Sequence, residues 1–447
     1  MKTFARGVRL VFVMEYSVRS ALRRILLLAS GLSIAALAQD QTAPAEREAH
    51  WRQDLQFFAA GLGASGHSVD FHSGISTRGQ IDFAKLYPKG RFDAAIEALE
   101  ADIPRVSDAE MVLGLMRLVA SANVAHNSVV MPLSMGFFAR LPLTFHWFPD
   151  GLAVIGASPE YSAALGTRVL RIGSMTPEQL LPAIAPYIAH ENEVWLREQA
   201  VGFLRPQAVL QHFGLLDQDG RVALSLEKPG EPPFTLSVTP GDPRVTRIPM
   251  AEGLHTPVPL FRSQPGKDYW HWYLADSQTL FIQYNACRND PKLPFSEFAR
   301  QVLSEAGAHP PKRVVIDLRQ NGGGDSRVIG PLKSGLASRL KAIGPVYVLI
   351  GPSTFSSALM NAIELRRALH ATLVGEAAGE KPNSYGEVKL LTLPNSKVVV
   401  RYTTKYFALA KSGDPAALEP DLAAPRTLAD ALAGRDPALE AAIAAGK

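Results

Sequence analysis

One cysteine, Cys287, stands in 447 residues. A single cysteine closes no internal disulfide and builds no Cys-based zinc site, so stability has to come from core packing. The eleven histidines include no HExxH or HxH spacing, and neither a metal nor another cofactor is expected. No basic patch argues for a nucleic-acid partner, and no internal repeat or low-complexity tract stands out. Long apolar runs are scarce as well. The run "ILLLASGLSIAALA" is too short to span a bilayer comfortably.

That run has another reading. Arg19, Arg23 and Arg24 precede it and Ala36-Leu37-Ala38 closes it, the pattern of a signal peptide cleaved before Gln39. Met14 is an alternative start. No cysteine follows to accept a lipid, so no stable membrane anchor is expected once the leader is removed, and the product is periplasmic or secreted. Residues 1–38 hold six Lys/Arg and one Glu, while the whole chain is +4. The remainder is therefore close to neutral, and the pI of about 9.0 owes much to the leader.

The whole chain is 47% apolar and 20% charged, ordinary for a globular protein and long enough for two or three domains. Residues 39–135 read as helical, with apolar residues at helical spacing in "WRQDLQFFAAGL", "GRFDAAIEALEADI" and "SDAEMVLGLMRLVASA", the last opening on a Ser107 or Asp108 cap. Gly61 to Gly66 matches GxGxxG but follows a helix-like segment, so it is no nucleotide site. Residues 136–245 turn to strand texture around the helical insert "TPEQLLPAIAPYI". Residues 246–447 alternate strands and helices, which predicts parallel βαβ units with ligands at the strands' carboxyl ends. "EVKLLTLPNSKVVVRYTTKYF" reads as a hairpin turning at Pro394-Asn395-Ser396.

Two strand ends could carry chemistry. In "DLRQNGGGD" three glycines let the backbone approach a ligand and present N–H groups to it; a phosphate loop is disfavoured because no Lys-Ser/Thr follows. In "GPSTFSSA" serines crowd a helix start, where free N–H groups and the dipole make an oxyanion site. Serines are also common caps. A nucleophilic serine needs a base. Lys381 in "GEKPN" would serve if burial lowered its pKa, though the adjacent Glu380 would oppose that. His126 in "SANVAHNSVV" is nearly tuned for neutral pH.

Together "RVVIDLRQNGGGD", "YVLIGPSTFSSALMNAIEL", "ATLVGEAAGEKPNSYGE" and "LEPDLAA…DALAGRDPALEAAI" resemble the tail-specific (C-terminal-processing) serine proteases, whose catalytic domain belongs to the crotonase/Clp superfamily. The match covers about residues 275–445. "GLAVIGASPEYSAALGTRVLRIGSM" is similar to a degenerate PDZ module. The resemblance implies an α/β fold: a crotonase/Clp-like ββα catalytic domain over 246–447, preceded by the helical region and a small PDZ-like β-rich domain at 136–245. It implies Ser356 as nucleophile and Lys381 as base, with the N–H groups of Ser357 and Gly323 as oxyanion donors. Gly322, Gly324 and Phe355 would border the substrate. A branch resembling the tricorn core protease implies His126 as base instead, with Asp414 completing the network. Two departures stand out: Leu359 occupies the position of a family Glu, and Glu380 replaces the Gly before the family lysine. The expected activity is cleavage of peptides or unstructured protein segments. A non-catalytic peptide- or lipophile-binding protein on the same fold is the alternative. Another crotonase-type acyl enzyme is disfavoured by export and by the lack of a coenzyme A site.

Overall fold

The computed structural model describes residues 43–62 and 86–445. The leader, and most of the GxGxxG stretch, lie outside the described residues. Glu48–Lys447 forms one unit.

Three helices come first: α1 (Pro44–Leu62), α2 (Lys89–Asp102) and α3 (Asp108–Ala120). Ser107 is the cap of α3, accepting the Glu110 N–H at 3.3 Å. Met111, Val112, Leu113, Leu115, Met116, Leu118 and Val119 are all buried, so α3 is apolar nearly all round, as a helix in the middle of a core must be. Strand β1 (Ser128–Val130) follows, leaving His126 in the short connection between them.

An antiparallel sheet is built next from β2 (Leu143–Phe148), β3 (Gly151–Ala157), β4 (Arg168–Ile172), β5 (Val222–Glu227) and β6 (Phe234–Val238), in that order, with β7 (Ile248–Pro249) on β3. The expected insert is α4 (Pro177–Ile184), opened by a Thr176–Gln179 capping box. A second helix, α5 (Glu193–Phe203), starts at Asn192, whose side chain accepts the Trp195 N–H.

The last part alternates as the sequence predicts. It comprises β8 (Tyr269–Leu274), β9 (Thr279–Tyr284), α6 (Phe295–Ala308), β10 (Arg313–Asp317), α7 (Gly330–Ala337), β11 (Val346–Ile350), α8 (Ser357–Leu369) and β12 (Thr372–Gly375). A hairpin, β13 (Asn383–Thr392) with β14 (Val399–Ala408), then precedes β15 (Leu422–Ala423) and α9 (Pro437–Ala445). The sheet order is β15-β12-β11-β10-β9-β8, with every pair parallel except β8–β9. Each residue of β9, β10 and β11 is buried, because α6, α7 and α8 cover one face while Phe261 and α9 cover the other.

The hairpin positions the site. It leaves the parallel sheet and pairs β14 with β1, and its Leu391, Leu393, Val398, Val400 and Tyr402 share one core with α3. Asp54 of α1 accepts the N–H groups of Asn395 and Ser396, each at 2.8 Å. Asn127 accepts the Thr403 N–H at 3.0 Å. Residues near 126 are thereby tied to the segment that starts just after 380.

Candidate active site

The turn between β11 and α8 is drawn tight by Thr354, which is fully buried. Its Oγ1 accepts the Gly351 N–H at 3.0 Å and donates to Leu318 O at 3.0 Å. Ser356 comes next with φ 57° and ψ −126°, at the cap position of α8, yet its side chain caps nothing. A non-glycine residue held in that region is strained by about 1–3 kcal/mol, and such strain collects at functional sites. A strand, a sharp turn and a helix in this order give the local layout in which a serine can act as a nucleophile.

Gly323 packs against this serine. A Cβ there would meet Ser356 Cβ at 2.7 Å and the Ser357 nitrogen at 3.1 Å, and φ is +104°, so only glycine fits. Asn321 holds the loop: its Oδ1 accepts the Gly323 N–H at 2.9 Å, its Nδ2 donates to Tyr284 O, and its carbonyl accepts the Phe355 N–H. Gly324 lies against Cys287 O, and its carbonyl accepts from Ser357 Oγ at 2.6 Å. Cys287 itself is a buried free thiol, pushed up to about 11 by burial.

Glu380 is the centre of the arrangement. It is 3% exposed. Oε2 accepts the Ser356 N–H at 2.5 Å, and Oε1 accepts from Ser384 Oγ at 2.6 Å and faces His126 Nδ1 at 3.3 Å. The His126 ring lies on Phe355, centroids 4.4 Å apart, and both its Nδ1 and its Nε2 are buried without a hydrogen-bond partner. Burial pushes His126 down to about 4, partly offset by the nearby Tyr385 backbone, which favours the charged ring. Burial pushes Glu380 up to about 7, opposed by its bonds from Ser384 and Ser356. At neutral pH the imidazole is unprotonated, the state a general base requires.

The other sequence candidates sit differently. Lys381 Nζ is 2.7 Å from Asp414, with Lys381 partly buried and Asp414 exposed; the ammonium holds the Asp414 carboxyl below its usual range. These two meet each other, while Ser356 and His126 meet through Glu380. Phe355, expected to border substrate, is buried in a stack between His126 and Trp195, the latter at 3.9 Å and 11°. Ser353 Oγ donates to Glu198 of α5 at 2.5 Å. Leu359 is buried in the core beneath the sheet, which explains an apolar residue there. Among the described residues no group of His, Cys, Asp and Glu could hold a metal ion, and no helix is long and apolar enough to cross a membrane.

Sequence reasoning missed Glu380, Asn321 and α5. Glu380 was weighed as a neighbour opposing Lys381 and as a departure from the family's Gly, not as a partner of His126. The signal was present in a carboxylate flanked by Gly379 and a loop, but its partner His126 lies 254 positions upstream.

No family model and no curated protein matches the chain. Among solved structures, mature CPAF superimposes with a TM-score of 0.58 at 14% identity, covering 90% of this chain and 97% of its own. The chain shares the fold of CPAF. Mature CPAF complexed with lactacystin gives the same TM-score over 90% and 98%, and the CPAF s499a mutant gives 0.54 over 86% and 94%. The α/β fold, with its helical N-terminal region and several sheets, agrees with the expectation drawn from the protease resemblance.

Proposed function

We propose that this chain is an exported serine peptidase acting on peptides or unstructured segments, with Ser356 as nucleophile, His126 as general base and Glu380 as the carboxylate that orients the histidine. The observation that carries the reading is the strained, non-capping Ser356, whose N–H shares the Glu380 carboxylate with His126. His126 takes the Ser356 proton as Oγ attacks the scissile carbonyl, then returns it to the leaving amine. Ionised Glu380 stabilises the imidazolium formed between these steps. The Ser357 N–H, at the start of α8, is the oxyanion donor; the Gly323 N–H, expected as the second, is taken up by Asn321 Oδ1, which fixes that peptide's orientation. Lys381 is paired to Asp414, away from Ser356. An extended substrate would add to an exposed strand edge by backbone pairing.

The test is labelling by a fluorophosphonate, or by lactacystin, which a fold neighbour binds. Label should attach to Ser356 and disappear in Ser356→Ala. An unlabelled wild-type chain would favour the binding-protein alternative.

A further inference from the structure

Ser384 touches Glu380 yet has no part in the mechanism above. It is the second residue of β13 and is 3% exposed. A buried hydroxyl is costly unless its proton finds an acceptor. This one donates to Glu380 Oε1 at 2.6 Å, the same oxygen that faces His126 Nδ1 at 3.3 Å. The other oxygen, Oε2, accepts the Ser356 N–H at 2.5 Å. Each carboxylate oxygen is thus held by one donor, from β13 on one side and from the nucleophile's own peptide on the other. Donors at both oxygens fix the rotation of the carboxylate. Resting on the peptidase reading above, we propose that Ser384 is a positioning residue: its hydroxyl keeps Glu380 ionised and turned so that Oε1 meets His126 when the imidazole takes the serine proton.

No cation stands in for that hydroxyl. Among the described residues no Lys or Arg is paired to Glu380, and Lys381, next in the chain, is held by Asp414. The titratable groups around the carboxyl come from two other segments. His126, in the connection between α3 and β1, is pushed down to about 4 by burial and carries no charge at neutral pH. Glu191, in the connection between α4 and α5, is pushed up to about 8 by burial first and by the charge of Glu380 second. It stays neutral while Glu380 titrates below it. Burial lifts Glu380 itself to about 7, and the bonds from Ser384 and then Ser356 pull it down. A hydrogen bond donated to the ionised form favours that form. Without the Ser384 hydroxyl the carboxyl holds its proton to higher pH, and a neutral Glu380 offers the imidazolium no charge.

The experiment follows the rate of fluorophosphonate labelling from pH 6 to 9.5 for the mature chain, Ser384→Ala and Ser384→Thr, with thermal unfolding as a folding control. Wild type should show an acid limb centred at about pH 7, where Glu380 ionises. Ser384→Ala deletes one buried oxygen, and its limb should move up by about one to two pH units. It should therefore label about tenfold more slowly than wild type at pH 7 and within about threefold of it at pH 9.5. Ser384→Thr keeps the hydroxyl and should keep the wild-type limb. A hydroxyl that served packing alone would slow labelling equally at every pH. An Ala limb that superimposes on wild type, or a Thr limb that moves as far as that of Ala, overturns the proposal. A second readout needs no activity. In a Ser356→Ala background, which keeps the backbone N–H at that position, the Glu380 carboxyl carbon resonance should titrate at about pH 7. Adding Ser384→Ala should raise that midpoint by about one to two units, and an unmoved midpoint overturns the assignment. An unlabelled wild-type chain would sink the peptidase reading, while this resonance still decides the role of Ser384.

Discussion

Ser356 is the residue with the least comfortable backbone in the site, and that discomfort is measurable. At φ 57° and ψ −126° a Cβ is unfavourable, so Ser356→Gly should stabilise the fold by about 1 kcal/mol relative to Ser356→Ala while labelling vanishes in both. Denaturant midpoints of the two variants check this; equal stability would mean the turn is relaxed. The base can be separated at the same scale. His126→Ala should cut labelling about 100-fold or more. Lys381→Ala removes its ion pair with exposed Asp414 and should stay within about fivefold of wild type. The reverse ranking would return the proton to Lys381. Gly323→Ala should abolish labelling outright, because its Cβ would overlap Ser356.

At the scale of elements, the Ser356 turn is supported from a distance by α5. Trp195 stacks on Phe355, Glu198 takes the Ser353 hydroxyl, and Asn192 donates to Ala416 O. Gly379, just before Glu380, is packed so closely on Trp195 that a Cβ would lie 2.7 Å from its ring. Trp195→Ala should therefore slow labelling by about tenfold or more and cost about 1–3 kcal/mol, whereas Trp195→Phe keeps a ring on Phe355 and most of the rate. Labelling kinetics beside thermal melts check it; a loss of stability with no loss of rate would make α5 mere packing. This support explains what could be read beforehand. The alternation of β9 to β12 with α6 to α8 was legible because buried parallel strands write continuous apolar runs, and Ser356 and Gly323 were legible because turn chemistry is local. Glu380 and α5 were not. A buried carboxylate looks like any surface Glu in sequence, and the pairing of β14 with β1, which brings His126 to it, is a contact spanning some 270 positions that no local pattern records. Phe355 was read as a substrate contact for the same reason: its stacking partners come from two other segments.

For the whole molecule, the same buried groups set how stability depends on pH. Glu380 and Glu191 have folded values raised from 4.5 to about 7 and about 8. The native state therefore holds more protons than the unfolded chain between about pH 4.5 and 8, and stability falls as pH rises through that window. His126 and His146 are both lowered from 6.5 to about 4 by burial, with the Arg262 and Arg426 charges adding to it at His146. There the unfolded chain holds more protons, so stability falls as pH drops from 6.5 toward 4. The two trends oppose each other between 4.5 and 6.5 and act alone outside it, which places the highest melting temperature of these four groups inside that interval. Melts from pH 4 to 9 should show the maximum there and a decline toward pH 8. Glu191→Gln should flatten that alkaline decline, because one of its two carboxyls is gone, and leave the acid side as it was. A melting temperature that keeps climbing to pH 8 would mean that Glu380 and Glu191 are ionised in the native state at lower pH, and with it the site would be more open to water than the burial of Glu380 implies.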